Sequence, residues 1–389
     1  MRYPIILLCS TLLLISFSSC ENSTAGGVIP LEPDGFDTIV NGSHVQLYTL
    51  RNKSGCMAQF TNYGGRWVSM WVPDRKGNMT DVVLGFNKVE KYMKAGEPYH
   101  GAIVGRICGR INNAAFVLNG NTYTLAENDG FGMPMKNHLH GGFEGFHSKV
   151  WRASLFRDKN GEESITFTYL SPDGEEGFPG ELEVEVSYLL TDDNEIRIEY
   201  RAVTNAATIV NLTNHAFFNL NGEGCGNILN HQMRVHAEKY IECDRELIPT
   251  GELKPVENTP LDYRKYASMG KGIDLEHNQI FKGLGYAAAM VLKEENNSRQ
   301  QLLAEAYGDR SGIRMEVFSD QASLQLYNAW LFTGDDVGKS GKPYEFSGGF
   351  VMETQAYPDA PNHKHFPSIE VLPGDEYKHT SIYRFSLAE

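Results

Sequence analysis

The sequence predicts an all-β protein, a large antiparallel β-sandwich, on three observations. Apolar and polar residues alternate with period two over long runs, tight-turn dipeptides separate such runs, and long stretches of helical period are absent. Many strands without intervening helices favour an antiparallel sandwich or barrel over a parallel sheet.

Along the 389 residues, the first segment stands apart. Arg2, the mainly apolar run from Ile5 to Phe17, and Ser18-Ser19-Cys20 read as a secretory signal over residues 1–19, too short for a comfortable membrane span. Small residues directly before a cysteine resemble a bacterial lipobox, with Cys20 lipidated and forming the mature N-terminus. Phe17 stands where that motif more often has Leu, and ordinary cleavage near Ser19 is the alternative. Either way the chain is expected to be exported; lipidation would tether it to a bacterial membrane, periplasmic or surface side, without spanning it. Residues 20–34 are small, polar and Pro/Gly-bearing, as a tether is. Residues 35–389 read as one β-domain with no further linker or repeat.

Within that domain, Asn119-Gly120 between Phe116-Val117-Leu118 and Tyr123-Thr124-Leu125 predicts a two-residue hairpin. Asp129-Gly130 and Asp173-Gly174 predict turns. Ser164 to Leu170 alternates. From Glu181 to Tyr188, Leu182, Val184, Val186 and Tyr188 share one face and the glutamates the other, and Asn194 to Val203 behaves in the same way. Glu294 to Tyr307 is the one weak helix candidate. Ile313 to Phe318 and Ser323 to Tyr327 alternate less strictly.

Composition excludes several functions. With 35 Lys+Arg against 49 Asp+Glu the formal charge is −14, so the chain lacks the clustered cations that track nucleic-acid phosphates. Hydrophobic residues at 41% and charged ones at 22% exclude wholesale disorder. Cys56, Cys108, Cys225 and Cys243 form no CxxC pair, which argues against a thiolate zinc site. Scattered in a large exported domain, they read as small buried apolar residues rather than a disulfide framework. Nucleophile-elbow, HExxH and phosphate-loop signatures are missing.

Four segments combine ionisable, polar and aromatic residues inside strand-like runs: GRICGRI (105–111), NHLHGG (137–142), NLTNHAFFNL (211–220) and GGFVMETQAYPD (348–359). His215, Phe217 and Asn219 would share one strand face. A histidine, an aromatic ring and an amide together suit a sugar pocket, while a hydrogen-bonded structural histidine is the plainer alternative. Glu353 sits inside an apolar strand, where desolvation raises a carboxylate toward the pKa of a general base; an ion pair with Arg110 is the competing reading. His138 and His140, two apart, could begin a metal site, but a third ligand is not evident and no metal is predicted. Gly141-Gly142 points instead to a close backbone approach. Arg106 and Arg110 could orient hydroxyls or simply be solvated, and the acidic turn of Asp173, Glu175 and Glu176 reads as a solvated loop.

Taken in order, these segments resemble the aldose 1-epimerase (galactose mutarotase) family. The resemblance runs through GR-x-x-x-RI at 105–111, FVLNGNTYTL, LHGG at 139–142, Trp151, NHAFFNL at 214–220, ETQAYPDAPN at 353–362 and LPG at 372–374. It implies a large antiparallel β-sandwich and an isomerase that interconverts anomers of free hexoses. It further implies His215 as general acid and Glu353 as general base, with Arg110, His140, Asn219 and Gln325 around the sugar. Two proton transfers suffice for the chemistry, so no cofactor is required; an acidic exported sandwich leaves room for a Ca²⁺ ion, though no EF-hand-like loop specifies one. The expected partner is a free monosaccharide, with contact to the membrane only through a lipid and the chain a monomer. Three positions depart from the family pattern. Gly109 stands where the family usually has Asn, Ala287 in GYAAA where it has a sugar-binding Asp, and Phe217 where it has Tyr. A carbohydrate-binding lipoprotein with weak or no catalysis is therefore the alternative, and a relative acting on a sugar phosphate a more distant one.

Overall fold

The computed structural model describes residues 27–388 apart from 131–134, 278, 282 and 293–299. The expected signal and Cys20 lie outside the described residues. The fold is the antiparallel β-sandwich expected, with a single six-residue α-helix, Val89–Lys94, among the described residues.

The larger sheet has nine strands. In spatial order they are Arg152–Arg157, Glu163–Ser171, Leu182–Leu190, Glu195–Thr204, Glu376–Leu387, Ile313–Ser319, Gln301–Tyr307, Gln232–Val235 and Ala267–Ser268, and every pairing is antiparallel. The period-two pattern becomes burial directly: Leu182, Val184, Val186, Tyr188 and Leu190 are buried while the residues between them face outward. A second sheet runs Pro249–Pro255, Ala237–Cys243, Gly285–Leu292, Ser323–Tyr327, Val351–Gln355, with Ile280–Phe281 paired to the third of these. A four-stranded sheet spans Leu47–Asp81. Inward faces of all three meet in one core that joins Phe60 and Trp67, Val186, Tyr188 and Tyr383, and Tyr286, Leu324, Leu326 and Met352. Each such buried side chain contributes about 1.5–3 kcal/mol.

The hairpin at Asn119-Gly120 forms as expected between Ala115–Leu118 and Asn121–Thr124, with φ of +51° and +79° at the two turn residues. The helix expected from Glu294 to Tyr307 is not found where described: Gln301–Tyr307 is a strand of the large sheet. A register shift between Leu302 and Ala304 breaks its alternation, so the period-two signal is lost from the sequence although the ladder persists. The turn expected at Asp129-Gly130 is not formed, and Asp129 is buried and ion-paired with Arg110. Arg106 is likewise buried, and its guanidinium donates to Ser171 Oγ and to the carbonyls of Ser171, Pro172 and Pro179. In the acidic turn, Glu175 is held rather than solvated, pairing with Lys149 at 3.0 Å and accepting from Tyr169 Oη at 2.7 Å.

Candidate active site

The second sheet buries one face in the core, and the other face carries the site. On Val351–Gln355 the even residues turn inward: Met352 joins the core and Thr354 hydrogen-bonds Ser381 of the large sheet. Glu353 and Gln355 therefore point the opposite way. Register places Gln325 directly opposite Glu353, and Ala287 opposite Tyr327 two residues along. The strand is entirely buried, but Ala287, Gln325 and Tyr327 are half-buried, so the sheet opens outward over them.

His215 reaches Glu353 from a neighbouring segment. Phe218 and Phe350 exchange backbone hydrogen bonds at 2.8 and 2.9 Å, and Asn211 Oδ1 accepts from the Ala356 N–H. These bonds lay residues 211–218 beside the glutamate strand. The His215 backbone is fixed in turn by Ala102 and Gly101, so its Nε2 stands 3.9 Å from Glu353 Oε1. Next along comes Ile103–Val104, paired with Thr213–Asn214; the chain then runs to Arg110–Ile111, which pairs with His138–Leu139. Four sequence-distant segments thus lie side by side.

His140 follows that short pair with φ +50°, which ends strand alternation and turns its ring toward His215 at 5.3 Å. His138 faces the other way, with Nδ1 2.9 Å from the Ala126 carbonyl, so the two histidines do not share a face as their spacing suggested. Gly141 permits the approach: a Cβ there would lie 1.8 Å from the Gly105 carbonyl oxygen. Arg110 pairs with Asp129 (Nε–Oδ2 2.7 Å) rather than with Glu353. Gln325 lies on the pocket floor, its Nε2 3.3 Å from the Leu326 carbonyl. Asn219 is a correction. Its Nδ2 donates to the carbonyls of Gly226 and Gly348 and its Oδ1 accepts from the Asn221 N–H, so it ties loops together and is not a pocket ligand.

Residues that the sequence did not single out complete the arrangement. Asp129 anchors Arg110. Tyr99 packs against His140, His147 and His215 at ring distances of 4.6, 4.8 and 5.6 Å. Gln355, fully buried and with its side-chain amide unpartnered, lies against Gly109. Only the EPYH run before GRICGRI and the ETQ triplet could have flagged Tyr99 and Gln355.

Burial dominates the electrostatics. It pushes the Glu353 carboxyl up to about 8, aided by the charge of Glu97 and opposed by Arg110. It pulls His215 down to about 3 and His140 well below its ordinary value. At neutral pH Glu353 therefore holds its proton, and His215 is neutral rather than an imidazolium. His140, His215 and Glu353 bring three donor atoms within 4.8 Å of one another, a set that could hold a metal. The surroundings argue against it. Metal-bound histidines donate their second N–H to an acceptor, whereas His140 Nδ1 accepts the Gly109 N–H at 3.2 Å, which keeps the proton on the Nε2 that a metal would need.

A buried carboxyl and imidazole 3.9 Å apart, beside a cationic side chain and an amide, make an acid–base site for a neutral polar ligand. Comparison with known proteins agrees: a family model described as aldose 1-epimerase matches residues 46–384. The chain belongs to the aldose 1-epimerase family. A galactose mutarotase of Bos taurus is 41% identical over 327 residues, covering 84% of this chain and 90% of the relative. An aldose 1-epimerase of Haemophilus influenzae is 36% identical over 346 residues, 88% of this chain and 96% of the relative. Among solved structures, an aldose epimerase homologue from C. elegans superposes with a TM-score of 0.78 at 27% identity, over 89% of this chain and all of that one. This aldose 1-epimerase family member is an isomerase of galactose mutarotase-like fold.

Proposed function

We propose that the protein interconverts the α and β anomers of free hexoses by opening and closing the sugar ring. The observation that carries this reading is the buried His215–Glu353 pair, with His215 Nε2 3.9 Å from Glu353 Oε1. In the reacting complex the proton of the pair lies on His215 and Glu353 is ionised. The carboxylate then takes the proton of the anomeric hydroxyl while the imidazolium gives one to the ring oxygen. Rotation about C1–C2 and closure with the roles reversed yield the other anomer and restore the starting protonation. Each positioned group contributes about 10²–10⁴-fold. Arg110, held by Asp129, and His140, whose tautomer is fixed as Nε2–H, donate to sugar hydroxyls, and Gln325 lies beside the reacting centre. No step uses a metal, so neither added Ca²⁺ nor a chelator alters the rate.

Polarimetry of freshly dissolved α-D-glucose and α-D-galactose, with protein lacking residues 1–20, tests the proposal. Acceleration that disappears in Glu353→Gln supports it; full activity in that variant refutes Glu353 as the base. We further propose that the enzyme is exported and lipid-anchored through Cys20, on the strength of the Ser18-Ser19-Cys20 sequence. Mass spectrometry of the mature N-terminus checks this, and an unmodified terminus elsewhere would refute it.

A further inference from the structure

Tyr99 walls the acid–base pocket, and the mechanism gives it no task. It lies in the loop between the helix Val89–Lys94 and the strand Ile103–Val104. Its ring packs against those of His140, His147 and His215 at 4.6, 4.8 and 5.6 Å. In the epimerase reading His140 and His215 both face the sugar, so the ring between them stands at the sugar's edge. A tyrosine this deeply buried usually spends its hydroxyl on a protein acceptor, as Tyr188, Tyr344 and Tyr383 do on backbone carbonyls. Tyr99 is 8% exposed, and its Oη has no hydrogen-bond partner among the described residues yet is not sealed from solvent. Burial holds the phenol above its ordinary value, so it stays a donor. The charges that bear on it next are those of Glu97, Arg110 and Asp129, which sets it toward the Arg110–Asp129 pair.

The direction of Tyr99 is imposed from behind. Arg66, at the start of the strand Arg66–Pro73 and 1% exposed, donates to the carbonyls of Pro98 and His100 at 2.9 and 2.7 Å, one on either side of Tyr99. The same guanidinium donates to the His147 carbonyl at 2.8 Å. The Tyr99 N–H donates to Glu97 Oε1 at 3.2 Å, and its carbonyl accepts from the Ala102 N–H at 2.9 Å. A planar fork on both flanking carbonyls fixes the backbone from which the ring leaves.

Resting on the epimerase reading above, we propose that Tyr99 is a substrate-contacting residue whose Oη donates to a non-reacting hydroxyl on the sugar edge served by Arg110, and that Arg66 is its positioning residue. The bond forms with the bound sugar and persists through ring opening. It therefore strengthens binding and leaves the proton transfers to His215 and Glu353.

Polarimetry with the faster of D-glucose and D-galactose and its 2-, 3-, 4- and 6-deoxy analogues, on the wild type and Tyr99→Phe, tests this. The expected result for the parent sugar is a KM raised about three- to ten-fold with kcat within about two-fold. The same rise is expected with every analogue but the one lacking the contacted hydroxyl, for which wild type and variant agree. A substitution that only repacked the wall would raise KM for every sugar alike, and that outcome would overturn the contact, as would an unchanged KM for the parent sugar. Arg66→Met and Arg66→Lys are then made alone and on top of Tyr99→Phe. Arg66→Lys keeps the charge but not the fork, so it carries the comparison even where Arg66→Met does not fold. A positioning role predicts a raised KM from the single substitution that adds little on top of Tyr99→Phe. Equal factors in both backgrounds, or a loss of folded protein with KM unchanged, would overturn the role of Arg66. No acceleration of any sugar by the wild type would overturn the epimerase reading itself, and this proposal with it.

Discussion

Glu353 and His215 are both buried, and burial acts on them in opposite senses. The carboxyl rises to about 8 and the imidazole falls to about 3, so the pair holds one proton across the neutral range. That state has no net charge and suits a neutral sugar. Catalysis needs this single proton, so kcat/KM is expected to be level around pH 7 and to fall about ten-fold per unit above about pH 8, where the pair loses it. A pH–rate profile checks this, and a profile still level at pH 9.5 would contradict it. Glu353→Gln should lower kcat by about 10²–10⁴-fold with KM little changed. Asp129 acts at one remove. Without it Arg110 keeps its charge but loses its 2.7 Å anchor, so Asp129→Asn is expected to raise KM about ten-fold while kcat stays within a few-fold. Steady-state kinetics separates the two, since a purely structural role would lower the amount of folded enzyme and leave KM alone.

Secondary elements differ in how much of their role was legible in the sequence. Strict alternation, as in Leu182–Leu190, passes straight into burial because one residue step is one change of face. Gln301–Tyr307 was misread, since its register shift removes the periodicity while leaving the hydrogen-bonded ladder intact. The site divides in the same way. His215 and Glu353 stood out as ionisable groups in apolar strands, a local property. The partner of Arg110 did not, because Asp129 is nineteen residues away and joins it only through the pairing of Arg110–Ile111 with His138–Leu139. The place of Asn219 is not legible for a related reason, since the Gly226 and Gly348 carbonyls that engage it come from loops whose paths the sequence does not mark. Gly141, by contrast, was legible as a close approach. Gly141→Ala would bring a Cβ to within 1.8 Å of the Gly105 carbonyl at φ +86°. It is expected to destabilise the fold by about 3 kcal/mol, read from the urea midpoint, and to displace His140 from the pocket.

At the scale of the whole molecule, the buried histidines govern the response to acid. Burial holds His138 near 4, His147, His215 and His379 near 3, and His100 and His140 well below their ordinary value. His100 is the extreme case, with both ring nitrogens unpartnered among Phe86, Phe217, Phe332 and Tyr344. All six stay neutral in the folded chain, whereas in the unfolded chain they bind protons as pH falls through about 6.5. The unfolded state then holds more protons, so acid favours it. Each histidine removes up to about 1.4 kcal/mol of stability per pH unit below that value. Glu353 and Glu97 oppose this. Their folded values of about 8 and about 7 exceed the ordinary carboxylate value, so they favour the folded state as pH falls toward 4.5. Burial also raises Asp81, Asp320 and Asp359, but it lowers His231 and His277 as well, so among the described residues the histidines outnumber the opposing carboxyls eight to five. Stability is therefore expected to peak near pH 7 and to decline steeply between pH 6 and 5. His100→Phe should raise the melting temperature and make the acid decline shallower by one histidine's share, because phenylalanine fills an aromatic cage with no nitrogen left unpaired. Calorimetry of both proteins at pH 5, 6, 7 and 8 decides the matter. A melting temperature that climbs steadily down to pH 5 would mean that the carboxylates, not the histidines, set the balance.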